Sequence, residues 1–158
     1  MIRKLGIAVA ALLALAAPAC AAQLLSVTIT TAVSAQVSGL LQLRDGNPQS
    51  AILQCNLTYG SGGTSADAWV QTSADGGLTW VDVANFHFTT SSARFFYNLS
   101  ALTPVTTEYT PTDGTLTANT AKDGLLGAWW RVKYTTVGTY AGGTTLRCDM
   151  QPRGRITQ

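Results

Sequence analysis

In the stretch SAILQCNLTY, Ser50 to Tyr59, apolar and polar positions alternate with a period of two. Ala51, Leu53, Cys55, Leu57 and Tyr59 fall on one side of an extended chain, and Ile52, Gln54, Asn56 and Thr58 on the other. Successive side chains take opposite faces in a strand and not in a helix, so this period predicts a half-buried β-strand. The same alternation runs through LLSVTITTAV, where Leu25, Val27, Ile29 and Thr31 share a face. It returns in AWWRVKYTTV, with Trp130, Val132 and Tyr134 inward and Arg131 and Lys133 outward. In TTLRCDMQ, Leu146, Cys148 and Met150 point inward while Arg147 and Asp149 face water.

Shorter strands are predicted in GLLQLRDGNPQS, ADAWVQTS, LTWVDVANFHF and SARFFYNL, punctuated by Asp45-Gly46-Asn47-Pro48, Gly60-Ser61-Gly62-Gly63 and Gly142-Gly143. Composition agrees. Glu108 is the only glutamate, and Thr, Ser, Gly, Val and aromatic residues dominate, which favours strands and turns over helices. Strands and turns at this spacing predict an all-β fold: an antiparallel β-sandwich, jelly-roll-like, of about eight strands. The exception is Thr103 to Gly127, which holds eight threonines and two prolines without sustained alternation. It is predicted to be one long Thr-rich connection across an end or face of the sandwich, with a short strand at Gly114–Ala118. Loops of this length are often functional.

Residues 1–22, MIRKLGIAVAALLALAAPACAA, have the form of a secretory signal peptide. Arg3 and Lys4 precede an apolar run from Leu5 to Ala17, and Ala19-Cys20-Ala21 matches an A-x-A cleavage pattern. The run is shorter than the roughly 20 residues a membrane span needs. Cleavage near Ala21-Ala22 would leave residues 23–158 as a single β-sandwich domain, exported to the periplasm or beyond. Acylation at Cys20 and an uncleaved hydrophobic arm are the alternatives. The net charge of +2 includes Arg3 and Lys4; without them eight basic groups face eight acidic ones, leaving no field to attract a nucleic-acid backbone. Nucleic acid is therefore not an expected partner.

Cys55 and Cys148 remain once the leader is set aside. Both sit on inward faces, which is compatible with a disulfide bridging the sheets and equally with two buried thiols. His87, the only histidine, stands between Phe86 and Phe88 on a strand without evident catalytic partners. Asp113 and Asp123 lie in the long connection at a spacing that matches no EF-hand. No metal site, cofactor or catalytic residue is expected. Adjacent Trp129 and Trp130 should point to opposite faces, and together with the long connection they are the expected contact surface.

SADGGLTW, Ser73 to Trp80, reads as a hairpin turn. Asp75 can hydrogen-bond to backbone groups two residues ahead, Gly76 and Gly77 supply positive φ, and Thr79 and Trp80 begin the returning strand with the indole covering the turn. The octet, with Ser73, Asp75, Gly77, Thr79 and Trp80 in place, resembles the Asp-box of sialidases and other carbohydrate-active proteins. In those enzymes the motif is structural and lies away from the catalytic centre, so the resemblance implies a turn and no activity. Glycoside hydrolysis in most families needs two positioned carboxylates in a cleft.

A broader likeness covers about residues 59–154. The stretches YGSGGTSADAWVQTSADGGLTWVDVANFHFTTSSARFFYNLSALTPVT, EYTPTDGTLTANTAKDGLLG and RVKYTTVGTYAGGTTLR are similar to small β-sandwich structural proteins of tailed phages and prophages. That resemblance implies a non-catalytic virion component, a head decoration or tail-associated subunit, whose partners are other virion subunits or copies of itself. The leader instead implies export, and with it an alternative: a binding module, with glycan as ligand.

Overall fold

A computed structural model describes residues 21–44 and 46–155, so the leader-like segment up to Cys20 lies outside the described residues. Those residues contain no helix and form two main antiparallel sheets packed face to face, with a separate two-stranded ribbon. The first sheet joins β1 (Ala22–Thr28), β11 (Thr145–Arg155), β4 (Pro48–Thr58) and β8 (Ala93–Ser100), in the order β1-β11-β4-β8. The second joins β2 (Val33–Val37), β9 (Trp129–Val137), β6 (Ser65–Ser73) and β7 (Val81–Phe88), in the order β2-β9-β6-β7. Short β3 (Leu41–Gln42) pairs with β9, and β5 (Ser61–Gly62) pairs with β10 (Tyr140–Ala141).

Numbered along the chain, the eight longer strands pair first with eighth, second with seventh, third with sixth and fourth with fifth. A long hairpin rolled up on itself produces this nesting, and it is the jelly-roll arrangement. Of these eight only β2 falls where no strand is predicted; the two-residue β5 and β10 are not predicted either, and β5 lies in the expected Gly60–Gly63 turn. The five residues of β2, VSAQV, do alternate, but the run is short, begins at the end of the LLSVTITTAV segment, and has four of its five residues exposed, so no buried apolar face marks it.

The core lies between the sheets. From the first sheet come Ala51, Leu53, Cys55, Leu57, Leu146, Cys148 and Met150, all without solvent contact. The second contributes Phe86, Phe88, Val132 and Trp130. Ala66 pairs with Phe88 and Ala68 with Phe86, so small residues on β6 make room for the rings on β7. This matching of large with small lets the side chains of the two strands interdigitate in the core.

Cys55 and Cys148 form a disulfide, but within the first sheet and not between the sheets. They are register partners on β4 and β11, with Cα atoms 4.1 Å apart. The alternation placed both on the core face correctly; the strand order that makes them neighbours could not be read from it.

Candidate functional site

The β6–β7 hairpin is held by a closed set of hydrogen bonds. The Ser73 hydroxyl donates to Asp75 Oδ1 at 2.7 Å and accepts the Gly77 amide at 2.8 Å. Asp75 Oδ1 also accepts the Thr79 amide at 2.8 Å. The carboxylate thus reaches four residues ahead, not the two expected, because both glycines turn left-handed, with φ of 77° at Gly76 and 92° at Gly77. The Thr79 amide, followed by the Ser73 hydroxyl, holds the Asp75 carboxyl down to about 2 from its ordinary 3.8. Hydrogen bonds to the charged form have this effect. Trp80 is 9% exposed, and its ring lies over Gly77 and beneath the Arg131 guanidinium, 4.2 Å from its centroid.

Arg131 ties this hairpin to the long connection, which runs from the end of β8 to the start of β9 and lies on the outer face of the second sheet. Gln71, Asp82 and Asn85 project onto that face, yet none has solvent contact. The connection covers them. Both oxygens of Asp82 accept the Gly114 amide at 2.9 Å, and Oδ2 also accepts the amides of Thr115 at 3.0 Å and Leu116 at 3.1 Å. Three successive N–H groups converging on one carboxylate make an anion nest, and Gly114 permits it with φ of 82°. Gln71 Nε2 closes the fourth side of Asp82 at 2.6 Å.

A second carboxylate, Asp113, joins the same network. It accepts from Gln71 Nε2 at 2.8 Å and Arg131 Nη2 at 3.0 Å, and lies 2.9 Å from Lys133 Nζ. Burial works against its charge, but the Gln71 amide, then Lys133 and Arg131, outweigh it and lower the carboxyl below its ordinary value. Gln71 Oε1 accepts Arg131 Nε at 2.6 Å. Two cations and two carboxylates therefore balance one another around one amide.

Further along, Trp69 Nε1 donates to Leu116 O at 2.9 Å, and the Asn119 amide donates to Asn85 Oδ1 at 3.1 Å. Backbone bonds stitch the connection to the β7 edge: Asp82 N to Thr112 O, Asn85 N to Thr120 O and Lys122 N to Val83 O. Residues 114–118 do not form the expected short strand, since 114–116 make the nest; an isolated bridge, Ala84 to Ala121, adds a pairing further along. The carboxylate of Asp82 has captured the amides that a strand would have offered to a neighbour.

Asp113 and Asp123 are not brought together. Asp123 instead accepts the Ser100 amide and the Thr103 hydroxyl, pinning the start of the connection to β8. His87 Nδ1 lies 2.8 Å from Asp67 Oδ1, with the two side chains 31% and 20% exposed. An oriented histidine needs a nucleophile or substrate within reach to act as a base. Among the described residues, no hydroxyl or thiol bonds to its ring.

The tryptophan pair divides as the alternation requires, and the contact surface expected of both is corrected for Trp130. Trp130 has no solvent contact, and its Nε1 donates to Gly127 O at 2.8 Å inside the core. Trp129, on the opposite face, is half-buried. The Asp82 nest, the Gln71 amide and the Asn85 anchor were missed by sequence reading. The available signal was three side chains able to accept hydrogen bonds on the outward positions of adjacent strands, in a chain with few charges.

Compared with protein families, with curated proteins and with solved structures, the chain matches none of them.

Proposed function

We propose that the protein is non-catalytic and works by packing its surfaces against other subunits, as a phage-derived virion component of the head-decoration or tail-associated kind. The observation that carries this reading is the polar network by which the long connection covers Gln71 and Asp82 on the second sheet. The long connection is the segment with room for a reactive site, and its interactions with Gln71, Asp82, Arg131 and Lys133 are spent on fastening it down. What remains outward is a rigid shape with balanced charge, suited to close packing and poorly suited to long-range steering. The likeness of residues 59–154 to small phage sandwiches supports the same reading.

The Cys55–Cys148 disulfide favours a second reading, an exported binding module, because such bonds belong to oxidising compartments. Its ligand face would not include Trp130. The open outer face of the first sheet, with Gln54, Asn56, Phe96 and Asn98, offers amides and an aromatic ring to a glycan.

N-terminal sequencing of the protein from purified particles and from culture supernatant tests both. Recovery in particles supports the virion reading. A mature start near Gln23 in the supernatant, with none in particles, overturns it in favour of export.

A further inference from the structure

A sheet's edge strands present unpaired backbone groups, and proteins usually blunt them with bulges, charge or cover. Three of the four edges here are treated in this way. β1 shifts register between Gln23 and Leu25, and β2 shifts between Val33 and Gln36, with Ala35 at a φ of 53°. The β7 edge is occupied by the long connection through Asp82, Val83 and Asn85, and Asn119 Oδ1 accepts its His87 amide.

β8 is different. It pairs with β4 from Ser50–Ser100 to Leu57–Ala93 without any register shift, and contains neither lysine nor proline. At its end the Ser100 amide goes to Asp123 and the Ser100 carbonyl accepts the Gly124 amide, so both point away from β4. The N–H and C=O of one strand residue point the same way, and alternate residues repeat the direction. The backbone groups of Arg94, Phe96 and Asn98 therefore also point away from β4, and among the described residues no hydrogen bond outside the strand ladders reaches them. Phe96 is 56% exposed and Phe95 is 42% exposed, which leaves aromatic surface on both sides of this bare ladder.

We propose that a second copy of this chain pairs antiparallel with β8 about a two-fold axis at Phe96, fusing two four-stranded sheets into one of eight strands. Only the register centred there pairs the three free residues wholly among themselves, with Phe96 opposite Phe96 and Arg94 opposite Asn98. A centre at Tyr97 sets Arg94 against Ser100, whose backbone is already taken. A centre at Phe95 sets Asn98 against Ser92, beyond the end of the strand. The chosen register is self-complementary: each guanidinium meets an amide carbonyl and the like charges stand apart. Phe95 meets Tyr97 on the other face, and aromatic cross-strand pairs add to stability. Isologous two-fold contacts are the commonest way for identical chains to associate.

This deepens the reading that the protein works by packing, on which it rests. The test is light scattering after size exclusion on the protein recovered from expression of the full chain, over a range of concentrations. The wild type should be a dimer. Phe96→Lys, which sets two ammonium groups together at the axis, and Asn98→Lys, which sets one against Arg94, should each weaken dimerisation at least tenfold while circular dichroism stays unchanged. Phe96→Cys should cross-link on oxidation, with peptide mapping placing the bond between the introduced thiols. A wild-type monomer, a dimer indifferent to both lysine variants, or cross-linking absent from a dimer would each overturn the pairing. Co-purification in particles with β8 intact and no dimer would leave the packing reading standing and assign the edge to a different protein's strand.

Discussion

Replacing Asp82 with alanine removes the acceptor for three backbone amides and the Gln71 side chain at once. Each buried donor left without a partner costs about 1–3 kcal/mol, so three amides held rigidly in place would cost roughly 3–9 kcal/mol. Once the carboxylate is gone, however, its bonds no longer hold the nest in place. Residues around Gly114 can lift from the sheet and rehydrate, which limits the loss to what their detachment costs. The expected destabilisation is about 3–5 kcal/mol, the lower part of that range, because detachment lets some of the freed donors reach water. Urea denaturation measures it, and native-state hydrogen exchange localises it. In Asp82→Ala the amides of Gly114, Thr115 and Leu116 should lose protection first, while those of β4 and β11 follow global unfolding. Asp82→Asn keeps the shape and one acceptor oxygen and should fall between the two proteins. A loss below about 1 kcal/mol in Asp82→Ala, with the three amides still protected, would refute the assignment of the nest as the anchor.

The remaining expectations test other parts of the fold. Asp75 titrates at about 2 when folded against 3.8 as the ordinary value, so its stabilising contribution is present above about pH 4 and disappears as pH falls through 2. Asp75→Asn should accordingly flatten the acid limb of a thermal-stability profile between those values. Removing both partners of the Cys55–Cys148 bond, which spans 93 residues of sequence, should lower stability by about 4–5 kcal/mol on chain-entropy grounds, read by denaturation with and without reductant. Trp130→Ala should cost about 3–5 kcal/mol as a core truncation, measured in the same assay. Trp129→Ala, on the half-buried outer face, should cost clearly less.

How far the sequence could be read depended on whether neighbouring residues sufficed to carry the signal. Period-two alternation and glycine punctuation are local, so seven of the eight longer strands were legible, and in β1, β4, β9 and β11 the inward faces as well. The β6–β7 turn was legible too, since the Ser73, Asp75, Gly77 and Thr79 groups that bind one another lie within one octet. In β2 the alternation is present but spans only five residues, four of them exposed, so no buried face set the strand apart from the run before it.

By itself, then, the sequence determined the all-β class, the hairpin and the burial of Cys55, Cys148 and Trp130 on core faces, because strand geometry converts position along the chain directly into direction. Tertiary structure alone decided that the cysteines meet within one sheet, and that 114–116 close over Asp82. It also decided which strand is left with a bare edge. Each of these depends on which segments become neighbours across the fold, and a carboxylate on β7 selects amides more than 30 residues away only after the jelly roll has carried them to it.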